Sequence, residues 1–265
     1  MTARPEVLSA KRIVVKVGSS SVSGANAGQI DPLVDALAAA HARGTEVVLV
    51  SSGAIATAIP FLNLDGRPTD LATQQAAAAV GQNVLMWRYQ TSLDRYRILA
   101  GQVLLTAGDL EHPTPRSNAQ RAMERLLGLR ILPIVNENDT VATHEIRFGD
   151  NDRLASMVCE LIAADLLVLL SDVDALYTKP PSEPGAEPIA LVAFEDDLAG
   201  VELGDIGAAG VGTGGAGTKI AAAKLAAAAG TPVLLTSTPN VARALSGELT
   251  GTWFEARPEA PAEPR

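Results

Sequence analysis

Arg12-Ile13-Val14-Val15-Lys16-Val17, closed by Gly18-Ser19-Ser20, is the stretch from which the fold is read. Four of its six strand positions are β-branched and apolar, so both alternating faces are oily, as in a strand covered on both sides. Gly18 and the serines that follow end it in small residues with free N–H groups, and the strand delivers Lys16 to the rim of a loop. Outward from there the same grammar repeats. Residues 31–42 carry helical periodicity, with Asp31 fit to cap and Pro32 suited to the first turn. Gly44 ends that helix, and 46–50 is a second apolar strand running into Ser51-Ser52-Gly53 and a helical Ala54-Ile55-Ala56. A long Ala/Gln-rich helix is expected over about 71–96, strands over 98–105 and 131–135, and a helix between them starting near Arg116. Residues 153–163 read as helix, and 166–170 as a continuous apolar strand ending in Ser171-Asp172. Residues 180–188 are a loop by composition. The glycine-dense 207–217 leads into a helix over 218–229, then a strand at 233–235, a short helix and a last strand near Trp253. Such alternation predicts an α/β fold: a three-layer α/β/α sandwich with a mostly parallel central sheet. It occupies residues 11–254, between an N-terminal tail (1–10) and a Pro/Ala/Glu-rich, disordered tail (255–265).

Composition agrees with one globular domain. The chain has 265 residues, 47% of them apolar and 19% charged, and a domain of that size buries roughly 70–75% of its unfolded surface. Aromatics are only 3%, so Ala, Val, Leu and Ile must build the core. Cys159 is the single cysteine, which excludes an intramolecular disulfide and any cysteine metal cluster, and its helical surroundings point to a buried small hydrophobe. A net charge of −9 without a Lys/Arg run argues against nucleic acid as a partner. No signal-like run opens the sequence, and the apolar stretch 166–170 falls far short of the ~20 residues that span a bilayer. No membrane association and a cytoplasmic location are the expectation.

Open parallel sheets bind ligands beyond the carboxyl ends of their strands. Three such ends carry small residues and hydroxyls: Gly18-Ser19-Ser20, Ser51-Ser52-Gly53 and Ser171-Asp172. Any one of them is explained by a plain turn; three together with Lys16 indicate an anion site. Gly212-Thr213-Gly214-Gly215-Ala216-Gly217-Thr218-Lys219 can curl its backbone around phosphate oxygens ahead of a helix N-terminus. It is not a Walker A loop, because Thr218 separates the last glycine from Lys219. Asn136-Glu137-Asn138-Asp139 and Gly149-Asp150-Asn151-Asp152 concentrate more acid and amide groups than helix capping uses, and suit an ammonium group, Mg²⁺ and the orientation of lysines. The residues alone describe a phosphate-handling α/β enzyme with an acidic pocket.

Val14-Val15-Lys16-Val17-Gly18-Ser19, Val50-Ser51-Ser52-Gly53-Ala54-Ile55-Ala56, Val135-Asn136-Glu137-Asn138-Asp139-Thr140-Val141-Ala142-Thr143, Phe148-Gly149-Asp150-Asn151-Asp152 and Leu170-Ser171-Asp172-Val173-Asp174 together resemble the glutamate 5-kinases of the amino-acid-kinase family. The order is that family's, over about residues 11–254. The resemblance implies ATP-dependent phosphorylation of the glutamate side-chain carboxylate, opening proline biosynthesis, with ATP and Mg²⁺ required. It places Lys16 and Lys219 at the transferring phosphoryl group, with Asp152 holding them. Ser52, Gly53, Asp139, Asp150 and Asn151 match glutamate-binding positions. Lys16, Ser171, Asp172, Thr213, Gly214, Gly215, Ala216, Gly217, Thr218 and Lys219 match nucleotide-binding ones. No protein ligand set for a metal is assigned. A homo-oligomer, dimer or tetramer, and proline feedback inhibition are expected from the family alone. Ala216 stands where that family usually has methionine, and Thr57-Ala58 where it has Ala-Gly. Many bacterial members continue into an RNA-modification-like (PUA) domain where this sequence stops. The alternatives implied are another amino-acid kinase, acting on aspartate, acetylglutamate or carbamate, or a non-catalytic relative that binds glutamate or proline.

Overall fold

Arg12–Val17 does form a strand, buried at every position after Arg12. In a computed structural model, which describes residues 3–141, 151–202 and 215–258, it sits inside an eight-stranded sheet. In chain order, the first half comprises α1 (Pro5–Ser9), β1 (Arg12–Val17), α2 (Ser19–Val22), α3 (Ile30–Ala42), β2 (Glu46–Val50), α4 (Ala54–Ala58), α5 (Leu71–Asp94), β3 (Ala100–Leu105), α6 (Ala107–Glu111) and α7 (Pro113–Gly128). The second half comprises β4 (Leu132–Glu137), α8 (Asn151–Leu161), β5 (Leu166–Ser171), β6 (Leu176–Tyr177), β7 (Pro188–Ile189), β8 (Leu191–Val192), α9 (Ala216–Ala228), β9 (Val233–Ser237), α10 (Val241–Leu245) and β10 (Thr252–Phe254).

The sheet order is β3-β4-β2-β1-β5-β9-β10-β8. All neighbours from β3 to β9 are parallel; β10 runs antiparallel to β9 and pairs β8 in parallel. Val15 stands between Leu49 and Val168 in this register. Alternation then assigns the two faces. Ile13, Val15 and Val17 pack with Leu33 and Leu37 of α3 and with Leu85, Tyr89 and Leu93 of α5. Val14, Val48 and Val50 pack with Met123 of α7, Val158 of α8 and Ala222, Ala223 and Ala226 of α9. Each fully buried Val or Leu contributes roughly 1.5–3 kcal/mol, and the alanines of α9 let that helix lie close to the sheet. The result is the expected three-layer sandwich.

Several boundaries differ from the sequence reading. The helix expected near Arg116 starts at Pro113, because proline suits a first helical turn, and it follows α6, which Thr106 and Asp109 close with a capping box. The long helix α5 stops at Asp94, two residues ahead of the expected end; Arg97 beyond it takes φ 56°. Helix α9 starts two residues ahead of Thr218 and β9 extends to Ser237. The stretch read as loop over 180–188 contributes Pro188 to β7, which pairs with β6, and β8 pairs through Trp253 and Phe254. Two-residue strands leave no periodicity to read. At the N-terminal end, α1 buries Val7, and the Arg4 guanidinium lies 5.0 Å from the Trp253 ring centroid. At the other end the Glu255 and Arg257 N–H groups donate to Val192 and Ala227.

The chain passes from β1 to β2 and later returns, through β5, to the opposite side of β1. The strand order therefore switches direction between β1 and β5, where open α/β sheets leave a crevice for ligands.

Candidate active site

Three elements bring charge to that crevice. β1 carries Lys16 at its penultimate position, α8 has Asp152 in its first turn, and α9 carries Lys219 in its first turn. Lys16 Nζ lies 2.6 Å from Asp152 Oδ1 and Lys219 Nζ 3.4 Å from Oδ2, with all three side chains buried. A carboxylate belongs at a helix N-terminus, whereas a lysine there opposes the helix dipole, and the Asp152 carboxylate offsets that cost for Lys219. Thr218 Oγ1 adds a contact, 3.2 Å from Asp152 Oδ2 and 2.9 Å from the Gly215 carbonyl oxygen. Burial alone would raise the Asp152 carboxyl; the charges of Lys16 and Lys219, with hydrogen bonds from Lys16 and Thr218, overcome this and hold it below the usual range. Two ammonium groups thus meet one carboxylate beside a helix N-terminus.

The crevice walls are tied together by Ser20, whose hydroxyl lies 2.9 and 3.0 Å from the two carboxylate oxygens of Asp172. This joins the end of β1 to the end of β5, with Ser171 as the last residue of that strand. Gly215 caps α9 in extended conformation, and Ala216 and Gly217 form the start of the helix.

The other end of the site is an amide cluster. Asn151 Nδ2 lies 3.1 Å from the Ser51 carbonyl oxygen, 2.9 Å from Ser52 Oγ and 3.1 Å from Asn136 Oδ1. Asn136 Nδ2 donates to Gln82 Oε1 of α5 at 2.7 Å. Ser51 Oγ is 2.9 Å from the Tyr89 hydroxyl, which burial raises to about 12 and so keeps neutral. Gly53, with φ 94°, starts α4 in a conformation that favours glycine, and a Cβ there would sit 3.3 Å from Ser19 Cα. Asn151 Oδ1 is buried without a donor among the described residues, a condition that costs about 1–3 kcal/mol unless a ligand supplies one. Half-buried Asp139 follows β4, and its carboxyl is raised to about 6 by burial, against the charge of Arg67.

The structure brings Lys16, Thr218 and Lys219 onto Asp152 and Ser52 onto the neighbouring Asn151; Gly53 follows Ser52, Asp172 follows Ser171 at the end of β5, and Gly215 to Gly217 open α9. Asp150, Thr213 and Gly214 lie outside the described residues. Gln82 and Tyr89 escape sequence reasoning, since nothing local marks two polar groups on the buried side of α5. Asn136 is visible in its motif, but its place at the centre of the cluster is not. Cys159 is buried in the α8 layer, where burial raises its thiol and leaves it a packing residue.

The amino acid kinase family profile matches residues 11–237. The chain belongs to the amino acid kinase family. Within that family it is 74% identical over 254 residues to a Clavibacter sepedonicus protein named glutamate 5-kinase, covering 96% of this chain and 98% of that one. A glutamate 5-kinase of Leifsonia xyli subsp. xyli is 72% identical over 260 residues, covering 98% and 96%. One from Salinispora arenicola is 54% identical, and there the match covers 98% of this chain and 71% of the relative. Among solved structures, carbamate kinase from Giardia lamblia bound to AMP-PNP superposes with a TM-score of 0.68 at 14% identity, covering 94% of this chain and 99% of that one. At that identity the likeness carries the family fold and nothing finer.

Proposed function

We propose that this chain transfers the γ-phosphoryl group of ATP to the side-chain carboxylate of L-glutamate, forming glutamyl 5-phosphate, the first step of proline biosynthesis. The observation that carries the reading is the buried Lys16–Asp152–Lys219 triad joined to the Asn151 cluster, in a chain 74% identical to a relative named glutamate 5-kinase. A side-chain carboxylate with an ordinary pKa near ~4.3 is ionised at neutral pH, so the acceptor needs no general base. Catalysis is then positioning plus charge stabilisation. Lys16 and Lys219 neutralise charge on the transferring phosphoryl oxygens, and Asp152 keeps both aimed. The α9 N-terminus, with Gly215, Ala216, Gly217 and Thr218, cradles phosphate; Ser171, Asp172, Thr213 and Gly214 complete the nucleotide site. Ser52, Gly53, Asp139, Asp150 and Asn151 bind glutamate, with the Asp139 carboxylate and Asn151 Oδ1 accepting from its ammonium group. Mg²⁺, when bound with the nucleotide, would supply Lewis-acid charge neutralisation at the phosphates.

The reading extends to a cytoplasmic enzyme, where ATP is the common phosphoryl donor. Among the described residues no helix is long and apolar enough to cross a membrane. It extends also to proline as a feedback inhibitor, which shares the α-carboxylate and α-nitrogen of glutamate, and to self-assembly through the β3 edge of the sheet.

The test is ADP release with ATP and Mg²⁺ in the presence of glutamate, aspartate, acetylglutamate or no acceptor, with hydroxylamine trapping any acyl phosphate. Glutamate-dependent ADP and hydroxamate are expected. Turnover of aspartate alone would overturn the substrate. A folded protein that binds glutamate or proline but never ATP–Mg²⁺ would make it a binding protein.

A further inference from the structure

No step of the chemistry above calls on Gln82, yet a chain of hydrogen bonds runs from it into the acceptor pocket. Its Oε1, carried by α5, accepts from Asn136 Nδ2 at 2.7 Å. Asn136 Oδ1, the other end of that amide, accepts from the Glu137 N–H at 2.9 Å and from Asn151 Nδ2 at 3.1 Å. Asn151 Nδ2 also donates to the Ser51 carbonyl oxygen and to Ser52 Oγ. Asn151 Oδ1 is then the end of the chain, buried without a donor among the described residues. Gln82, Asn136 and Asn151 are 7%, 2% and 5% exposed, so the chain lies out of water, where a made bond is strong and an unmade one costly.

The chain has a direction, and Gln82 sets it. Because Gln82 offers a carbonyl oxygen, Asn136 faces it with its NH2 group, which leaves the Asn136 oxygen for Asn151. Turning the Asn136 amide by half a revolution would set oxygen against oxygen at Gln82. It would also set NH2 against both the Glu137 N–H and the Asn151 NH2 group, which have only hydrogens to offer. Without an acceptor where Gln82 stands, the Asn136 NH2 group is left buried and unpaired. The adjoining Asn151 oxygen would relieve it, and that oxygen is then occupied before a ligand arrives. We infer that Gln82 is a positioning residue which, through Asn136, keeps Asn151 Oδ1 open to the ammonium group of the acceptor, and so selects an α-amino acid over the same dicarboxylate without its nitrogen. This rests on the glutamate reading of the pocket and adds to it a specificity residue that acts through two others.

The experiment compares wild type, Gln82→Met and Gln82→Glu, using glutamate and glutarate, which has the same chain and both carboxylates but no ammonium group. Calorimetric titration of both compounds gives affinity independently of turnover, and hydroxamate formation gives KM and kcat. Gln82→Met keeps the length of the side chain and removes the acceptor. It should weaken glutamate by about tenfold in Kd and KM, as loss of one buried hydrogen bond does, with the KM for ATP unchanged and glutarate unaffected. The preference for glutamate over glutarate then falls by the same factor. Gln82→Glu retains an oxygen for Asn136 and should keep most of that preference. Equal losses for the two compounds would make Gln82 a structural residue and overturn the inference, as would an unchanged preference in Gln82→Met. Should Gln82→Met fail to fold by circular dichroism, Gln82→Glu decides, since loss of the preference there overturns the inference and its retention supports it. Wild type that binds glutarate as tightly as glutamate would also overturn it. Wild type that binds glutamate but never phosphorylates it would remove the proposed reaction while the titrations still decide the role of Gln82.

Discussion

Asp152 is the residue on which the charge balance of the site depends, because its two oxygens separately meet two buried lysines. Asp152→Asn removes the carboxylate charge that both buried ammonium groups meet and should cost about 3–5 kcal/mol in urea unfolding at pH 7. Its folded carboxyl lies below the unfolded value near ~3.9, so the stabilisation is complete above that value and vanishes as pH falls through the folded one. The stability gap between wild type and variant should therefore close under acid. Lys219→Ala, by contrast, should act on turnover, lowering kcat by about 10²- to 10³-fold if it stabilises transition-state charge as other such donors do; steady-state assays decide. Burial raises the Asp139 carboxyl to about 6, and only its ionised form offers an ammonium group an opposite charge. kcat/KM for glutamate should fall as pH drops through about 6, and Asp139→Asn should abolish that limb. For stability the sign is opposite to Asp152: a raised carboxyl weakens the fold as pH climbs from its unfolded value through 6.

At the scale of elements, the acceptor pocket depends on how closely α4 and α5 approach. Gly81 lies against the α4 backbone, where an added Cβ would come within 1.7 Å of the Ala54 carbonyl oxygen. No side-chain rotation relieves a clash with backbone, so Gly81→Ala must part the helices, at a cost of about 3 kcal/mol. It should also raise the KM for glutamate, because Gln82 and Tyr89 ride on the same helix. Gly66→Ala, with nothing within 4 Å of its added carbon, should leave both unchanged; denaturant unfolding and glutamate kinetics on the pair provide the check. Helix α5 is legible in sequence as a helix, but its Ala/Gln-rich surface hides which residues face the pocket. Tertiary packing puts Ala77, Gly81, Gln82, Leu85 and Tyr89 inward and leaves Trp87 68% exposed. The start of α7 is misread for a different reason: Pro113 opens a helix as readily as it ends one.

For the whole molecule, β3 is an edge of the sheet among the described residues, and α5 packs beside it. Exposed Leu99 and Leu104 flank or belong to that strand, while Val80 and Trp87 lie on exposed positions of α5. Self-assembly there would cover this edge and these apolar residues together. Trp87→Glu should shift the sedimenting species to a smaller size with the circular-dichroism spectrum retained, and a wild type that sediments as a monomer would remove the assembly. By itself the sequence determined the parallel sheet, the strand ends that carry chemistry and, through Asn136–Asp139 and Asp150–Asp152, the family. These are legible because burial on both faces and the small residues at strand ends are written over a few neighbouring positions. Only the tertiary structure decided that Asn151 meets three acceptors, that Gln82 and Tyr89 of α5 join that cluster, and that β10 and β8 reverse the sheet. Each depends on sheet order and helix packing, which bring together residues whose local sequences carry no trace of one another.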